Sequence, residues 1–216
     1  MKLHDTQGTL RFGQPLAKAR GAVILVHGRG SSANDIAGLA DVLKSADLAF
    51  LAPAAEGGTW YPQRFFAPLA SNEPWLSSAL GVIAKLAAEV QAAGLAPERM
   101  GLIGFSQGAC LSLEFAARHP LRYGFIAGLS GALIGPLDTP RPPGDLRGTP
   151  VLLGCAERDP HIPLEYVGRS AEALSAMGAD VTKQIFPGAS HTVFAEEVEW
   201  LRLRGAMDGK ARPRPA

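Results

Sequence analysis

The sequence predicts an α/β fold with a mostly parallel central sheet, helices on both faces and no large cap domain. Short apolar runs alternate along the chain with longer segments of helical periodicity, which is typical of parallel strands joined by crossover helices. Several of these runs are apolar throughout, as expected of strands that are buried on both faces: 22–26, 48–51, 100–103 and 151–155. No repeat or linker divides the 216 residues, so we expect a single domain over 1–216.

Composition and charge argue against several classes of function. The chain has 21 basic and 20 acidic residues, a net charge of +1 and no dense basic stripe, so we expect no nucleic-acid partner. Cys110 and Cys155 form neither a disulfide framework nor a zinc-ligand pattern, which predicts a reducing compartment and no metal site. The first residues lack the apolar core of a signal peptide, and no run is long enough to cross a bilayer. We therefore expect a cytoplasmic protein without stable membrane insertion, although a signal removed before Met1 would leave no trace in this sequence.

The other elements are predicted from periodicity and turn chemistry. Thr9–Phe12 is predicted as a short edge strand, and Asn34 or Asp35 is expected to begin a helix that continues to Leu43. Further strands are predicted at 123–129 and 181–186, and further helices at 74–90, 107–118, 164–177 and 194–201. Residues 207–216 are expected to form a flexible tail beyond a core of about 21–205.

The most informative stretch is Gly104-Phe-Ser106-Gln-Gly108, between an apolar run and a helix-forming segment. The two glycines lack a Cβ, so a strand and a helix can approach closely around a strained serine. At the start of that helix, the backbone N–H of Gln107 is expected to point at the position of an oxyanion. Strand, turn and helix together predict the nucleophile elbow of an α/β-hydrolase. The alternative is that Ser106 only caps the helix.

A second glycine-containing loop, His27-Gly-Arg29-Gly, follows the apolar run 22–26. In an α/β-hydrolase a His-Gly loop of this kind supplies a second backbone N–H to the oxyanion hole. The N–H of Arg29 is the candidate here. The alternative is a simple glycine turn into the next helix.

The candidate catalytic acid lies in the loop after the apolar run 151–155. Asp159 is preferred to Glu157, because Asp before Pro fixes a turn and the shorter side chain suits a held geometry. A carboxylate at this point of the fold orients the catalytic histidine. The alternative is that both acids are solvated.

The candidate general base is His191, in the last loop between a strand and a helix. His161 is its rival, but the order Ser, Asp, His along the chain favours His191. The remaining histidines, His4, His27 and His119, are expected to be structural or on the surface.

Residues 53–74 lack periodicity and contain four aromatic side chains close together. We refer to this segment as the aromatic loop. A loop of this length in a compact domain is usually functional. We predict that it forms a wall or lid over an apolar acyl or aryl pocket, the alternative being a minor core cluster. The candidate substrate-binding residues are Trp60, Tyr61, Phe65 and Phe66.

Together these motifs resemble the phospholipase/carboxylesterase family of α/β-hydrolases, which includes bacterial carboxylesterases and acyl-protein thioesterases. Four motifs over about 21–205 carry the resemblance: Val26-His-Gly-Arg-Gly30, Gly104-Phe-Ser-Gln-Gly-Ala109, Asp159-Pro-His-Ile-Pro163 and Pro187-Gly-Ala-Ser-His191. The resemblance implies hydrolysis of esters or thioesters without a cofactor. It also implies a triad of Ser106, Asp159 and His191, with the Arg29 and Gln107 amides as oxyanion hole. Only the resemblance suggests a homodimer.

Two residues depart from the family pattern. The family often has an apolar residue at the position of Arg29, whose side chain we expect near the site mouth, where it would favour acidic or polar substrates. His161 likewise stands where an apolar residue is usual in the acid loop.

These observations predict a serine carboxylesterase that hydrolyses short- to medium-chain or aryl esters through an acyl-enzyme intermediate. One alternative is a lysophospholipase or acyl-protein thioesterase that acts on long acyl chains. The other is a hydrolase fold that serves only as a binding module, because fold does not imply function.

Overall fold

A computed structural model of the protein describes residues 3–204. Within them, seven strands form one sheet. The strands are β1 (Leu10–Gly13), β2 (Gly21–Val26), β3 (Leu48–Ala52), β4 (Met100–Phe105), β5 (Phe125–Leu129), β6 (Pro150–Ala156) and β7 (Asp180–Phe186). The predicted tail 207–216 and the last residue of the predicted core lie outside the described residues.

The order of the strands across the sheet is β1-β3-β2-β4-β5-β6-β7. Every neighbouring pair from β3 to β7 is parallel, and only β1 runs antiparallel, against β3. The central strands β2, β3 and β5 are buried along their whole length, as their continuous apolar runs require.

In the described part of the chain, five α-helices cover the sheet: α1 (Ala33–Ala37), α2 (Trp75–Ala92), α3 (Gln107–Arg118), α4 (Leu164–Ala176) and α5 (Ala195–Arg202). The apolar side chains of α2, α3 and α4 belong to one hydrophobic cluster, and those of α1 and α5 belong to a second. Alternate residues of β2 enter different clusters, Ile24 the first and Leu25 the second, so the clusters lie on opposite faces of the sheet. The predicted fold class, a mostly parallel sheet with helices on both faces, is confirmed.

The first helix differs from its prediction. It begins one residue before Asn34 and is α-helical for only five residues, after which a 3₁₀ turn continues over Gly38–Leu43. Ser32 is its N-cap, because the Ser32 hydroxyl accepts a hydrogen bond from the Asp35 N–H at 3.2 Å. Gly38 has a low helix propensity, which explains the change at that residue.

The proline-rich segment 135–150 is held to α3 by a buried ion pair. The Arg141 guanidinium donates to the Glu114 carboxylate at 2.8 Å and to the Ile134 carbonyl at 2.8 Å. Glu114 is fully buried and also pairs with Arg118 at 2.7 Å. Because each oxygen of the Glu114 carboxylate has a cationic partner, the segment 135–150 is tied to the helix that follows the candidate nucleophile.

The described helices include none that is both long and apolar enough to span a membrane.

Candidate active site

The candidate residues lie at one edge of the sheet. Arg29 follows β2, Ser106 follows β4, Asp159 follows β6 and His191 follows β7. Parallel strands present their carboxyl ends at the same edge, where ligands bind in open α/β sheets. Residues that are far apart in sequence therefore meet there.

Ser106 occupies a strained turn between β4 and α3. Its backbone has φ 54° and ψ −117°, a region that residues with a Cβ rarely adopt. The Ser106 N–H donates to the Leu129 carbonyl of β5 at 2.9 Å, which anchors the turn to the sheet.

Two glycines allow that turn to form. A Cβ on Gly104 would overlap the Gly108 carbonyl, and a Cβ on Gly108 would overlap the Val26 carbonyl of β2. Neither neighbour can move easily, because both are backbone atoms. The start of α3 can therefore lie against the ends of β2 and β4 only with glycine at these positions.

Ser106, His191 and Asp159 form a continuous hydrogen-bonded chain. His191 Nε2 lies 2.8 Å from Ser106 Oγ, and His191 Nδ1 lies 2.7 Å from Asp159 Oδ2. The Asp159 side chain is fully buried and the His191 side chain is 17% exposed. When Nδ1–H donates to the carboxylate, Nε2 is left as the acceptor for the Ser106 proton.

The acid loop holds the Asp159 carboxylate in place. Its Oδ1 accepts backbone hydrogen bonds from His161 at 2.8 Å and Ile162 at 3.1 Å. The Cys155 thiol lies 3.7 Å from Oδ2. Burial, followed by the negative charge of Asp159, raises the pKa of the Cys155 thiol to about 12, so it remains protonated. Glu157, the rival acid, is exposed on the same loop.

The rival base lies beside the site and outside the hydrogen-bonded chain. The ring of His161 is exposed and meets the ring of His191 edge-on, with centroids 4.8 Å apart. The hydrogen-bond partner of Ser106 Oγ is His191 Nε2. The structure therefore brings Ser106 to His191 and leaves His161 at the mouth of the site.

Two residues that the sequence analysis did not single out help to place His191. The ring of Phe105 packs against the imidazole at a centroid distance of 5.0 Å. Ser130 has φ 52°, and its hydroxyl donates to the carbonyl of Thr192, next to His191, at 3.2 Å. Phe105 could have been found from its position before the nucleophile, and Ser130 from the Ser-Gly pair at the end of β5.

The loop after β2 is held by its histidine. His27 Nε2 accepts from the Ala55 N–H at 3.0 Å, and Nδ1 donates to the Gly28 carbonyl at 2.7 Å. Burial lowers the pKa of His27, which suits an imidazole that donates at one nitrogen and accepts at the other. A Cβ on Gly28 would lie 3.4 Å from the Ser106 Cβ, so this loop contacts the nucleophile turn. His27 is thus a structural residue.

A cavity of about 520 Å³ opens at Ser106 and His191. Of the four aromatic candidates for substrate binding, Tyr61 and Phe65 line it. The other lining residues are Gly28, Arg29, Ser31, Pro62, Gln63, Arg64, Phe105, Ser106, Gln107, Cys110, His161, Ile162 and His191.

The placement of Trp60 and Phe66 in the pocket wall is corrected by the structure. Trp60 is fully buried, its ring packs on His27 at 5.0 Å, and its indole N–H donates to the His27 carbonyl at 2.9 Å. Phe66 packs against Phe65 and Tyr166. Trp60 therefore supports the loop after β2 from within the core, and Phe66 supports the wall from behind.

Two polar side chains fix the backbone of the wall. The Gln107 amide accepts from the Trp60 N–H and donates to the Tyr61 carbonyl, both at 2.8 Å. The Arg29 guanidinium donates to the carbonyls of Tyr61 and Gln63 at 2.8 Å and of Pro62 at 3.1 Å. The residues proposed for the oxyanion hole thus have side chains that hold the aromatic loop, a role not evident from sequence.

Within residues 3–204, no group of three or more His, Cys, Asp or Glu side chains is arranged to hold a metal ion. A serine held to an imidazole beside a helix N-terminus is an arrangement suited to acyl transfer.

The known proteins that this chain resembles include acyl-protein thioesterases. The acyl-protein thioesterase 1 of Gibberella zeae is 38% identical over 109 residues, which are 49% of this chain and 46% of that protein. The chain thus matches less than half the length of that relative. The acyl-protein thioesterase 1 of Saccharomyces cerevisiae is 26% identical over 88% of this chain and 93% of its own length.

The fold also matches solved structures. A phospholipase/carboxylesterase from Dyadobacter fermentans has a TM-score of 0.89 and 37% sequence identity, covering 95% of this chain and 99% of that chain. The family model described as Phospholipase/Carboxylesterase matches residues 10–202. That match spans all seven strands and the candidate residues of the site. The chain therefore belongs to the phospholipase/carboxylesterase family of serine hydrolases.

Proposed function

We propose that the protein is a carboxylesterase that hydrolyses short- to medium-chain or aryl carboxylic esters through an acyl-enzyme intermediate. The observation that carries this proposal is the hydrogen-bonded chain from Ser106 through His191 to the buried Asp159. Family membership gives ester hydrolysis as the class of reaction.

In the first step, His191 Nε2 accepts the proton of Ser106 as Oγ attacks the ester carbonyl. The buried carboxylate of Asp159 stabilises the imidazolium that forms. His191 then gives its proton to the departing alcohol, and the acyl group remains on Ser106. In the second half, His191 takes a proton from water as the water oxygen attacks the acyl carbonyl. His191 then returns that proton to Ser106 Oγ as the bond to the acyl group breaks and the acid is released.

The negative charge on the carbonyl oxygen would be stabilised by the backbone N–H groups of Gln107 and Arg29. Gln107 is the first residue of α3, and the first N–H groups of a helix have no partner within that helix. The close approach of Gly28 to Ser106, where a Cβ on Gly28 would lie 3.4 Å from the Ser106 Cβ, supports the placement of the Arg29 loop beside the nucleophile. Each such donor contributes about 3 kcal/mol to catalysis in enzymes of this kind.

The size of the cavity supports small substrates. About 520 Å³ lies within the range of ordinary small-molecule pockets, and its apolar wall includes Tyr61, Phe65 and Ile162. We therefore propose a small-molecule ester as the substrate.

A thioesterase acting on long acyl chains is the second candidate. It is supported by the names of two relatives, both acyl-protein thioesterase 1. Such an enzyme would show rates that rise with acyl length.

We also propose the compartment and the partners of the protein. Both cysteines are free and buried, which supports a reducing compartment such as the cytoplasm. The balanced charge supports the absence of a nucleic-acid partner, and we propose no stable insertion into membranes. A homodimer is proposed from the family resemblance alone, and sedimentation velocity would test it.

The test is hydrolysis of p-nitrophenyl esters from acetate to palmitate, with Ser106→Ala beside the wild type. We expect the highest kcat/KM on short and medium chains, a decline toward palmitate and no turnover above background in the variant. Rates that rise steadily to palmitate would favour the thioesterase candidate. Turnover of the Ser106→Ala protein close to that of the wild type would contradict both.

A further inference from the structure

The charged side chains that line the active-site cavity are all basic. Arg29 and Arg64 are exposed at its wall, and the exposed imidazole of His161 lies at the mouth beside His191. No aspartate or glutamate is among the described residues that line the cavity. We refer to Arg29, Arg64 and His161 as the basic rim. In a chain with a net charge of only +1, this distribution is uneven.

The two arginines of the rim are not neutralised by a carboxylate. Across residues 3–204, neither Arg29 nor Arg64 forms a salt bridge. Arg29 is hydrogen-bonded to three neutral carbonyls, and the Arg64 guanidinium lies 5.7 Å from the ring centre of Phe66. None of these contacts cancels the charge of either guanidinium.

Two carboxylates near the cavity are hydrogen-bonded to neighbouring side chains. The Asp159 side chain is fully buried behind His191. The Asp35 carboxylate accepts from the hydroxyls of Ser31 at 2.9 Å and Ser32 at 2.8 Å. A negatively charged substituent in the cavity would thus face the basic rim with no lining carboxylate to repel it.

The Arg29 guanidinium is also preorganised for a ligand. Its three carbonyl bonds hold the side chain in one conformation, so binding costs little side-chain entropy. A guanidinium has five N–H donors, which leaves donors that the carbonyls do not use. Both Nη2 hydrogens are donated to the Tyr61 and Gln63 carbonyls, so neither fork of the guanidinium is open. A carboxylate would accept a single charge-assisted hydrogen bond from Nε–H or from the remaining Nη1–H. His161 adds an N–H donor in either of its protonation states.

We propose that the preferred substrates of this enzyme are small esters that carry a carboxylate, which the basic rim binds while Ser106 attacks the ester. This inference rests on the proposed ester hydrolysis and adds the charge of the substrate. Arg29 and Arg64 are then specificity-determining residues, and their charge acts mainly on KM.

The test compares two aryl acetates that differ in one charge, 4-acetoxybenzoate and 4-acetoxybenzamide. Each kcat/KM is divided by the rate of hydroxide hydrolysis of the same ester, so that the leaving groups are comparable. The wild type is expected to prefer the benzoate, chiefly through a lower KM. Raising the ionic strength should reduce that preference, because salt screens the attraction.

Substitutions of the two arginines then test whether the basic rim causes the preference for the benzoate. Arg64→Gln and Arg29→Gln should each reduce the ratio of benzoate to benzamide rates by about threefold to fivefold, the upper part of the range for a solvent-exposed ion pair. Arg64→Lys should retain most of the ratio, because it keeps the charge. Arg29→Gln also loses bonds to the wall, and the benzamide rate reports that damage separately.

Arg20→Gln is the matched control. Arg20 is exposed, pairs with Asp47 at 3.7 Å, and precedes β2, at the edge of the sheet opposite the site. Arg20→Gln lowers the net charge by one, as Arg64→Gln and Arg29→Gln do, and it should leave the ratio of benzoate to benzamide rates unchanged.

A wild-type ratio near one, or a ratio that Arg64→Gln and Arg29→Gln leave unchanged, would overturn the inference while ester hydrolysis itself stands. If the wild type hydrolyses neither ester and the p-nitrophenyl series also fails, the proposed function fails and this inference fails with it.

Discussion

Two serines with backbone in the left-handed region determine the geometry of the site. Ser106 has φ 54° and Ser130 has φ 52°, and each follows one of two adjacent parallel strands. Such conformations cost of order 1–3 kcal/mol and persist only where the surroundings hold them. Here the Ser106 N–H is bonded to Leu129 at 2.9 Å and the Ser130 N–H to Gly154 at 2.8 Å. The sheet therefore holds the strained turns that present the nucleophile and support the histidine loop.

The role of the acid can be tested by an isosteric change. Asp159→Asn removes the charge that stabilises the His191 imidazolium and permits the wrong tautomer, so kcat should fall by about 10³- to 10⁴-fold. The measurement is kcat on p-nitrophenyl butyrate together with the melting temperature.

Glu157→Gln is the matched control, because Glu157 is an exposed acid on the same loop. It should leave kcat within about twofold, as surface substitutions away from special features usually have small effects. A loss for Glu157→Gln that equals the loss for Asp159→Asn would contradict the assignment.

At the residue scale, the sequence predicted side chains with distinctive chemistry better than it predicted apolar ones. The order Ser, Asp, His picked out three residues that the structure brings into one hydrogen-bonded chain. Trp60 and Tyr61 are neighbours in a loop without periodicity, and no pattern says which of them faces the cavity. The choice depends on the bonds from Gln107 and from the His27 loop, which are contacts between distant segments.

Among the elements, α3 depends on the close approach of its first turn to β2. Gly108→Ala would push a methyl group into the Val26 and His27 carbonyls, so we expect a loss of about 3 kcal/mol in the free energy of unfolding. Urea denaturation would measure it.

The control for this change is Gly81→Ala, within α2. Apart from the backbone of its own helix, a Cβ there would have no neighbour within 4 Å among the described atoms, so alanine should stabilise the protein by roughly 0.5–1 kcal/mol. Equal effects of the two substitutions would mean that backbone contact at Gly108 does not limit packing.

Helix α5 contains a buried acid with an unusual titration. Glu197 is fully buried, and its Oε2 accepts from the Phe194 N–H at 2.7 Å. Its Oε1 has no hydrogen-bond partner among the described residues. Burial is the main cause that raises the pKa of Glu197 to about 7, and the nearby charge of Glu196 adds to it.

This shift predicts how stability depends on pH. The folded protein holds the Glu197 proton more tightly than the unfolded chain does, so the resulting stability is present below pH about 4.5 and is lost as pH rises through about 7. From pH 5 to 8, the wild type should lose roughly 2 to 3 kcal/mol relative to Glu197→Gln.

Urea denaturation at several pH values would measure the difference between the two proteins. Glu199→Gln, which alters an exposed acid on the same helix, should follow the wild-type curve. Parallel curves for the wild type and Glu197→Gln would disprove the shift.

At the element scale, local patterns predicted where most strands and helices lie. The boundaries of α3 are the predicted 107–118, because Ser106 and His119 bound a clear helical segment. The first helix was predicted less well, since the apolar stripe through Leu43 is compatible with either α or 3₁₀ geometry. The strand predicted to begin at Tyr123 begins at Phe125. The Tyr123 N–H donates a hydrogen bond to the Thr149 hydroxyl and not to the backbone of a neighbouring strand.

For the whole molecule, one sheet separates two hydrophobic clusters. Trp60 belongs to the cluster under α2, α3 and α4, and Trp200 belongs to the cluster under α1 and α5. If residues 1–216 form a single domain, both clusters should be lost together on unfolding.

Tryptophan fluorescence can test this directly. Guanidinium unfolding of Trp200→Phe, which keeps Trp60 and Trp75, and of the double variant Trp60→Phe/Trp75→Phe, which keeps Trp200, reports on opposite faces of the sheet. Within each variant, the fluorescence midpoint should coincide with the midpoint from far-ultraviolet circular dichroism. Separate midpoints in either variant would indicate two cooperative units instead of one domain.

At this scale the sequence predicted the fold class but not the shape of the cavity. Alternating apolar and helical segments predict a parallel sheet, and its topology places the site at the carboxyl ends of the strands. The basic rim could not be predicted as a group, because Arg64 reaches the cavity only through the path of the aromatic loop, and His161 only through the loop after β6.

The central claim is that His191 activates Ser106 as a nucleophile, and covalent labelling tests it most directly. A fluorophosphonate probe should add one adduct to the folded wild type, located at Ser106 by intact mass and peptide mapping. Ser106→Ala and unfolded wild type should remain unlabelled. A folded wild type that stays unlabelled, or an adduct that persists in Ser106→Ala, would contradict the account.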